Sequence, residues 1–351
     1  MSSRVIIIGA GASYGHGVKG ASQPPLGTGF FEGPIAKEIL TDYSDFFGYL
    51  SSTLYLEDLS EIDIEELAET VQGSWELSVY DRQEIEAQFG ISFCAGGPKM
   101  MLRGYIVDHV WLSTKWLSNA SCPFHEELFK KMLSPNDAVI SFNYDLIADV
   151  ALKKLGLWSE SSGYFGNQCF VRLLKPHGSL NWFKNSSDGS NRIEIAWLED
   201  ALRGARNSDD CDRTIIGVIP KIGAALDRDD HAIGFAEAAA IEPSYCLPLA
   251  VLPTSKKDFI ELTFGQLATV WKQMKQIIKE ASEVIAVGFS FRDRHFNQLL
   301  LESIKQRTEP LKLKLVCPSK VSEPGERLLS VPKLDVIRFK CTLEKYVESL
   351  E

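Results

Sequence analysis

The sequence predicts an α/β fold: a doubly wound parallel sheet that carries a helical insertion. The first observation is the apolar run at residues 5–8, since a strand that is apolar on both faces is typical of a parallel sheet covered by helices on both sides. The second is that similar runs return at 138–142, 284–287 and 313–317, with a shorter one at 171–174. The third is that the long stretch between the first two runs has helical apolar spacing.

The helical stretch defines the predicted domains. Helices are predicted at 62–71, 100–117 and 124–133. We therefore predict a helical insertion over residues 31–133, packed on a discontinuous domain made of residues 1–30 and 134–351. The irregular segment 184–250 belongs to that domain and contains a short predicted strand at 215–220.

Composition and charge exclude several classes of protein. The chain has 351 residues, with 37 lysines and arginines against 47 aspartates and glutamates and a formal net charge of −10. Because a phosphate backbone is bound by clustered cations, we expect no direct nucleic-acid binding. No apolar run approaches the roughly 18 residues of a membrane span, and the first run is too short for a signal peptide. We therefore expect a cytoplasmic protein without a membrane segment.

The seven cysteines are scattered along the chain and form no C-x-x-C pair. An odd and dispersed set is typical of free thiols in a reducing compartment. The sequence therefore predicts no bound metal.

The first candidate site motif is the loop that follows the first strand, Gly9-Ala10-Gly11-Ala12-Ser13. A tight turn that opens a helix points backbone N–H groups at a phosphate, and glycine permits close approach. The alternative is a purely structural turn. The dehydrogenase pattern G-x-G-x-x-G is not met, because Tyr14 stands at its sixth position.

The second motif is Ser141-Phe142-Asn143-Tyr144-Asp145, at the end of the second predicted strand. Open α/β sheets place ligand-contacting residues at such strand ends. Asn143 is suited to orient a water or a sugar hydroxyl, and Asp145 to accept from an amide or hydroxyl. The alternative is that both residues cap the following helix, predicted at 146–154.

Two further motifs follow later strands. His177, in Lys175-Pro176-His177-Gly178, is suited to take or give a proton near neutral pH, and the alternative is an ordinary loop histidine. Gly288, Phe289 and Ser290 end a buried strand where they could touch a ribose or phosphate. Asp293 is a good N-cap for the next helix, and it could instead face the same cleft together with His295 and Asn297.

Together these motifs resemble the sirtuin superfamily, and specifically its divergent bacterial branch, the sirtuin-like NAD hydrolases of antiphage defence. GAGAS resembles the first NAD loop of the family, SFNYD its Asn-x-Asp motif, KPHGS the loop with the catalytic histidine, and GFSF the Gly-Thr-Ser ribose loop. Deacylating sirtuins carry a four-cysteine zinc module between the last two motifs. Here that interval holds only Cys211 and Cys246, and Phe289 replaces the usual threonine.

The resemblance implies a Rossmann-like, sirtuin-like fold without the zinc module, and an NAD+ glycohydrolase that releases nicotinamide and an ADP-ribose product. NAD is then the substrate, and no metal is required. The catalytic residues it implies are Asn143, Asp145 and His177. The NAD-binding residues it implies are Gly9, Ala10, Gly11, Ala12, Ser13, Ser141, Gly288, Phe289, Ser290, Asp293 and His295.

Other functions remain open at this point. The chain could be a non-catalytic sensor of NAD or ADP-ribose, or an NAD-dependent deacylase or ADP-ribosyltransferase. Because unrestrained NAD hydrolysis would kill the host cell, we also expect a homo-oligomer or a complex with a separately encoded sensor or activator protein. The aromatic residues Tyr105, Trp111 and Trp116 of the insertion are favoured as core residues one by one, and the alternative is that some of them serve such contacts.

Overall fold

The computed structural model of the protein describes residues 3–27, 29–53, 62–73, 83, 87–89, 97–118, 120–159, 164, 170–185, 192–195, 248–254 and 265–350. The chain divides into two compact units. The first consists of Met1–Pro24, Asn119–Ser179 and Asp258–Glu351, and the second of Pro25–Ser118 and Leu180–Lys257. The strand predicted at 215–220 lies outside the described residues, as do Cys211 and Cys246.

The described strands are β1 (Ser3–Ile8), β2 (Ala138–Ser141), β3 (Arg172–Leu174), β4 (Gly178–Asn185), β5 (Arg192–Ile195), β6 (Pro248–Ala250), β7 (Ala281–Val287), β8 (Leu311–Val316) and β9 (Leu334–Phe339). The described helices are α1 (Ala10–Tyr14), α2 (Gly33–Asp42), α3 (Ser44–Thr53), α4 (Ile64–Gly73), α5 (Gly97–Thr114), α6 (Pro123–Met132), α7 (Ile147–Lys154), α8 (Gly265–Glu280), α9 (Arg294–Lys305), α10 (Glu323–Leu329) and α11 (Leu343–Glu348). A 3-10 turn, Lys115–Ser118, follows α5.

The first unit is built on a six-stranded sheet in the order β3-β2-β1-β7-β8-β9, and every neighbouring pair is parallel. The predicted doubly wound parallel sheet is confirmed. The order reverses between β1 and β7, which is the position where open α/β sheets bind their ligands. Ile8 pairs with Ser141 on one side and Val287 on the other, so β1, β2 and β7 end level. The loops that follow them therefore start at one edge.

Helices flank this sheet and explain why its central strands are buried on both faces. α8 packs on β1, β7 and α9, and α9 also packs on α10. α6 packs on α7 and α11, which places it in the first unit although it had been predicted as part of the insertion. Its N-terminus has proline at the first position, and Lys130 and Lys131 lie in its last turn, where they complement the helix dipole.

The second unit surrounds α5, which packs against α2, α4 and β6. Tyr105 is fully buried in it, stacks on Phe31 at 5.3 Å and donates a hydrogen bond to the carbonyl oxygen of Phe30 at 2.6 Å. A three-stranded sheet, ordered β5-β4-β6, belongs largely to this unit. Of the segment from Leu180 to Lys257, the described residues 180–185, 192–195 and 248–254 group with these helices. The insertion 31–133 stays a prediction.

The helices predicted at 62–71, 100–117 and 124–133 are present, each displaced by a few residues. Among the described helices, none combines the length and the apolar character needed to cross a membrane.

Candidate functional site

The glycine loop after β1 and the loop after β7 interlock through their backbones. The N–H of Gly9 donates to the carbonyl of Val287 at 3.0 Å, and that of Gly11 to the carbonyl of Gly288 at 3.0 Å. A Cβ at Gly9 would lie 2.5 Å from the carbonyl oxygen of Gly288, and a Cβ at Gly288 would lie 2.1 Å from the nitrogen of Ala12. The glycines are therefore required by this contact between loops, whatever ligand the loop binds. Ala10 and Gly11 are exposed at the loop surface.

Asn143 ties the loop after β2 to the glycine loop. Its Nδ2 donates to the carbonyl of Gly9 at 3.0 Å and to the Oγ of Ser13 at 2.7 Å. Because the Gly9 carbonyl can only accept, the amide orientation is determined by its partners. Both amide protons are thereby used within the protein, and the Oδ1 is the atom with which Asn143 can orient a substrate or a water.

Asp145 is a structural residue as well as a candidate site residue. Its Oδ1 accepts from the N–H of Ile147, the first residue of α7, at 3.0 Å, while the N-cap position itself is held by Leu146. Asn143 bonds the glycine loop, so neither residue of the motif is the helix cap. Burial raises the pKa of Asp145, although the charge of Lys175 and the hydrogen bonds from Ile147 and Ser13 act in the opposite direction. Ser13 is thus bonded to both acidic and amide side chains of the motif.

A fully buried ion pair supports the histidine loop, and sequence reasoning did not identify it. The Nζ of Lys175 lies 3.1 Å from the Oδ2 of Asp149 and donates to the carbonyl of Asp145 at 2.6 Å. Asp149 also accepts from the hydroxyl of Tyr164. A buried ion pair is stable only when further hydrogen bonds satisfy the remaining donors and acceptors of both side chains. Here the Asp145 carbonyl and the Tyr164 hydroxyl supply those bonds. The pair therefore fixes the residue two positions before His177.

His177 is hydrogen-bonded to a carboxylate from a different loop. Its Nε2 lies 2.7 Å from the Oδ2 of Asp293, and the two side chains are 10% and 6% exposed. The carbonyl of Pro176, the preceding residue, accepts from the indole Nε1 of Trp271 at 3.0 Å. A histidine oriented by a carboxylate is the arrangement that general-base catalysis requires.

A strained turn delivers Asp293 to this position. Phe291 has a φ of +56°, in the left-handed region that a bulky residue rarely adopts. Its carbonyl accepts from the Nδ2 of Asn297 at 2.7 Å and from the Oγ of Ser322 at 3.0 Å. Asp293 then caps α9 through its Oδ1, which accepts from the N–H of Phe296 at 2.9 Å. Asn297, which sequence reasoning considered for the cleft, serves here to hold this turn.

An aromatic cluster lies against the histidine. The ring of Phe142 meets the His177 imidazole edge-on at 5.0 Å and lies 4.6 Å from the ring of Phe289. Phe289, the residue that replaces threonine in the ribose motif, contacts Phe291 and Phe296 as well. The cluster therefore gives one side of the histidine an apolar surface.

The loops that carry the four predicted motifs contact one another in a closed series, which we call the ring of loops. Asn143 bonds the glycine loop, Phe142 contacts His177, His177 bonds Asp293, and the loop that carries Asp293 begins at Gly288, which bonds the glycine loop. The structure thus brings together residues from the ends of β1, β2, β3 and β7.

The remaining predicted residues lie around this ring. Ser141 is buried at the end of β2, where its Oγ lies 3.4 Å from the N–H of Asn143. The carbonyl of Ser290 accepts from the N–H of Ser322 at 3.0 Å. His295 lies beside Trp271, with ring centroids 6.5 Å apart. The sequence did not predict Trp271 as a neighbour of the histidine loop, because a tryptophan within a helix carries no motif that points to that loop.

A cavity of about 410 Å³ lies past the ends of β8 and β9. Cys317, Ser319 and Lys320 line it from the loop after β8, and Arg338 and Lys340 from β9 and the residues after it. Arg338 is paired with Glu326 at 2.6 Å. The same loop reaches Ser322, which bonds Ser290, so the cavity adjoins the fourth motif. No sequence motif marks these residues.

Within the residues that the structure describes, no group of three or more histidine, cysteine, aspartate or glutamate side chains is arranged to hold a metal ion. The described cysteines, Cys122, Cys317 and Cys341, are free thiols, and burial raises the pKa of the Cys122 thiol well above its ordinary value.

Comparison with known proteins gives structural likeness at low sequence identity. No protein-family model matches the sequence, and no curated protein matches it. Among solved structures, one reported for the mechanism and regulation of Sir2 enzymes is 12% identical with a TM-score of 0.43, covering 99% of this chain and 91% of that chain. A sirtuin structure reported for substrate affinity is 12% identical with a TM-score of 0.42, covering 99% and 92%. A Sir2 complex with a p53 peptide and NAD+ is 12% identical with a TM-score of 0.38, covering 99% and 91%.

Proposed function

We propose that the protein is an NAD+ glycohydrolase that cleaves the bond between nicotinamide and ribose. The observation that carries the proposal is the His177–Asp293 pair, 2.7 Å apart, within a ring of loops that also contains Asn143. Each of the four loops carries one of the motifs by which the sequence resembles the sirtuin-like NAD hydrolases. The ring stands at the edge where the strand order reverses, which is where a dinucleotide binds in open sheets of this kind.

The chemistry of the bond determines which groups are needed. Cleavage passes through an oxocarbenium-like ribose, so the enzyme must orient the ribose, exclude bulk water and position one nucleophile. The Oδ1 of Asn143 orients the attacking water or a ribose hydroxyl. His177 then accepts the proton of that water or hydroxyl. The aromatic surface formed by Phe142 and Phe289 keeps bulk water from the histidine.

The binding residues follow from their places in the ring. The exposed backbone at Ala10 contacts the diphosphate, and the turn from Gly288 to Ser290 contacts a ribose. The cavity beyond β8, with Lys320 and Lys340 at its rim, has room for the adenosine end of the dinucleotide. Asp145 shapes the nicotinamide end by holding α7 and Ser13, and no step in this scheme requires a metal ion.

The direct test is to incubate the pure protein with NAD+ and to quantify nicotinamide and ADP-ribose by chromatography. We expect stoichiometric release of both, and a His177→Ala variant about 10²–10⁴-fold slower with an unchanged circular dichroism spectrum. Tight binding of NAD+ without release of nicotinamide would instead identify a sensor. Removal of an acyl group from a peptide, with nicotinamide formed only when the peptide is present, would identify a deacylase.

An enzyme that destroys NAD+ must be restrained, and we propose that assembly provides the restraint in an antiphage defence role. The chain forms either a homo-oligomer or a complex with a separately encoded sensor or activator protein, and this assembly controls the access of NAD+ to the site. Tyr105 and Trp111 are buried within the chain and so do not supply the contact surface, whereas Trp116 is half-buried. Light scattering on the same preparation tests this part: a monomer at micromolar concentration that hydrolyses NAD+ at full rate without a partner contradicts it.

A further inference from the structure

We propose that Asp293 is the positioning residue of His177, and that it holds the imidazole in the tautomer with its proton on Nε2 and its lone pair on Nδ1. The role in catalysis rests on the proposed function, whereas the tautomer rests on geometry alone.

The tautomer follows from the chemistry of the two partners. The Oδ2 of Asp293 lies 2.7 Å from the Nε2 of His177, which is the short distance typical of a bond to a charged acceptor. An ionised carboxylate has no proton to donate, and a neutral imidazole donates from one ring nitrogen and accepts at the other. The Nε2 must therefore carry the proton, and the lone pair of the neutral imidazole lies on Nδ1, the nitrogen that the proposed function uses as the base.

The carboxylate is itself held in place, so the pair is a rigid one. Its Oδ1 accepts from the N–H of Phe296 as the N-cap of α9, while its Oδ2 faces the histidine. The turn before it is strained at Phe291, whose carbonyl is held by two side chains. The rings of Phe142, at 5.0 Å, and Tyr144, at 6.4 Å, confine the imidazole.

The division of the two oxygens makes one substitution especially informative. In Asp293→Asn the side-chain oxygen stays with the N–H of Phe296, since asparagine is as good an N-cap as aspartate. The amide NH₂ then faces the Nε2 of His177. Two donors cannot share that bond, so His177 must accept at Nε2 and carry its proton on Nδ1. The substitution keeps shape and cap while it reverses the tautomer.

The experiment measures the tautomer and the activity separately. Long-range ¹H–¹⁵N NMR spectra of the imidazole rings report which nitrogen is protonated, and the signals of His177 are those missing from His177→Ala. At pH 8 we expect the Nε2–H form in the wild-type protein and the Nδ1–H form in Asp293→Asn. NAD+ cleavage by Asp293→Asn should fall about 10²–10⁴-fold, since the base then lacks its lone pair.

The matched control is Thr342→Ala, which removes the hydroxyl oxygen that accepts from the N–H of Lys345 at the N-cap of α11. It should lower stability slightly and leave both the tautomer and the turnover within about twofold of wild type, as expected for an exposed cap away from the site.

Three results would overturn the inference. The first is a wild-type imidazole protonated on Nδ1, and the second is an Asp293→Asn protein that keeps the wild-type tautomer. The third is a reversed tautomer in Asp293→Asn with NAD+ cleavage equal to wild type. If the wild-type protein cleaves no NAD+, the proposed function fails, and the NMR result still decides whether Asp293 positions the histidine.

Discussion

At the scale of single residues, the site depends on side chains whose hydrogen bonds have only one possible direction. Asn143 donates both amide protons, to the Gly9 carbonyl and to Ser13, and the carboxylate of Asp293 can only accept from His177. In the buried Lys175–Asp149 pair, the ammonium of Lys175 also donates to the Asp145 carbonyl, and the carboxylate of Asp149 also accepts from the Tyr164 hydroxyl. Each such bond determines the orientation of a functional group without a ligand present.

Asn143→Asp tests this at one residue, because aspartate has the same shape but cannot donate. The carboxylate would face the Gly9 carbonyl, leaving a buried acceptor without a donor. We expect the free energy of unfolding to fall by about 1–3 kcal/mol, measured by urea denaturation. NAD+ cleavage should fall about 10²–10⁴-fold, measured as nicotinamide release.

Asn143→Ala serves as the control for that substitution, since it removes the same donors without adding a charge. Its loss of stability should be no larger than that of Asn143→Asp. Near-wild-type stability and turnover in Asn143→Asp would show that the two donated bonds do not hold the loop.

At the scale of elements, the first unit is organised by contacts between loops at strand ends. The loops after β1 and β7 approach until their backbones bond directly, which only glycine at Gly9 and Gly288 permits. Gly288 combines two requirements, a φ of +59° and the absence of space for a Cβ. The turn at Phe291 shows that this loop is also held under strain.

A comparison of Gly288→Ala with Gly20→Ala should distinguish two costs to the free energy of unfolding. One cost is backbone strain at positive φ, and the other is the clash between the two loops. Gly20 has a φ of +75° but nothing within 4 Å of an added Cβ, so it reports strain alone, about 1–2 kcal/mol. Gly288→Ala adds a clash with the nitrogen of Ala12, and we expect it to lower the free energy of unfolding by 3 kcal/mol or more, on the order of a strongly disruptive core change. Thermal denaturation measures both. Equal losses in the two variants would mean that the loops can move apart freely.

At the scale of the whole molecule, stability depends on buried histidines that the site does not use. Burial lowers the pKa of His125 to about 3 and that of His109 to about 4, and it also lowers the pKa of His16. His125 is fully buried in α6, with neither ring nitrogen hydrogen-bonded in the part of the chain described here. The native state must therefore keep this imidazole neutral.

This depression of the pKa predicts a loss of stability in acid. The unfolded chain binds a proton at His125 below about 6.5, whereas the native state does not do so until about 3, so stability falls as the pH drops through that interval. His125→Leu removes the effect. The difference in unfolding free energy between the variant and wild type should be constant above pH 7 and should shift by about 1–2 kcal/mol in favour of the variant at pH 5.

Urea denaturation of both proteins from pH 8 to pH 5 measures that difference. Other titrating groups, such as Asp108, whose pKa burial raises well above its ordinary value, contribute to both proteins and cancel in the subtraction. Parallel curves over the whole range would mean that His125 titrates normally in the folded protein.

The sequence by itself determined the parallel sheet, the four helices predicted at 62–71, 100–117, 124–133 and 146–154, and the four strand-end motifs. These are local properties: apolar runs, helical spacing and the residues that directly follow a strand. Their strand-end positions, together with the resemblance to the sirtuin superfamily, then assigned Asn143, His177 and the glycine loops to one site.

Only the tertiary structure decided how those residues are paired. In the sequence, His177 and Asp293 are 116 positions apart, and Lys175 and Asp149 are 26 positions apart. Gly9 lies near the start of the sequence and Gly288 near its end, yet their backbones are in contact. It also decided that α6 belongs to the unit of the large sheet, whereas β6 packs against α5 in the second unit. Local periodicity reports which face of an element is buried, but it carries no information on which distant element buries it. That choice depends on packing and on the need of each buried polar group for a partner.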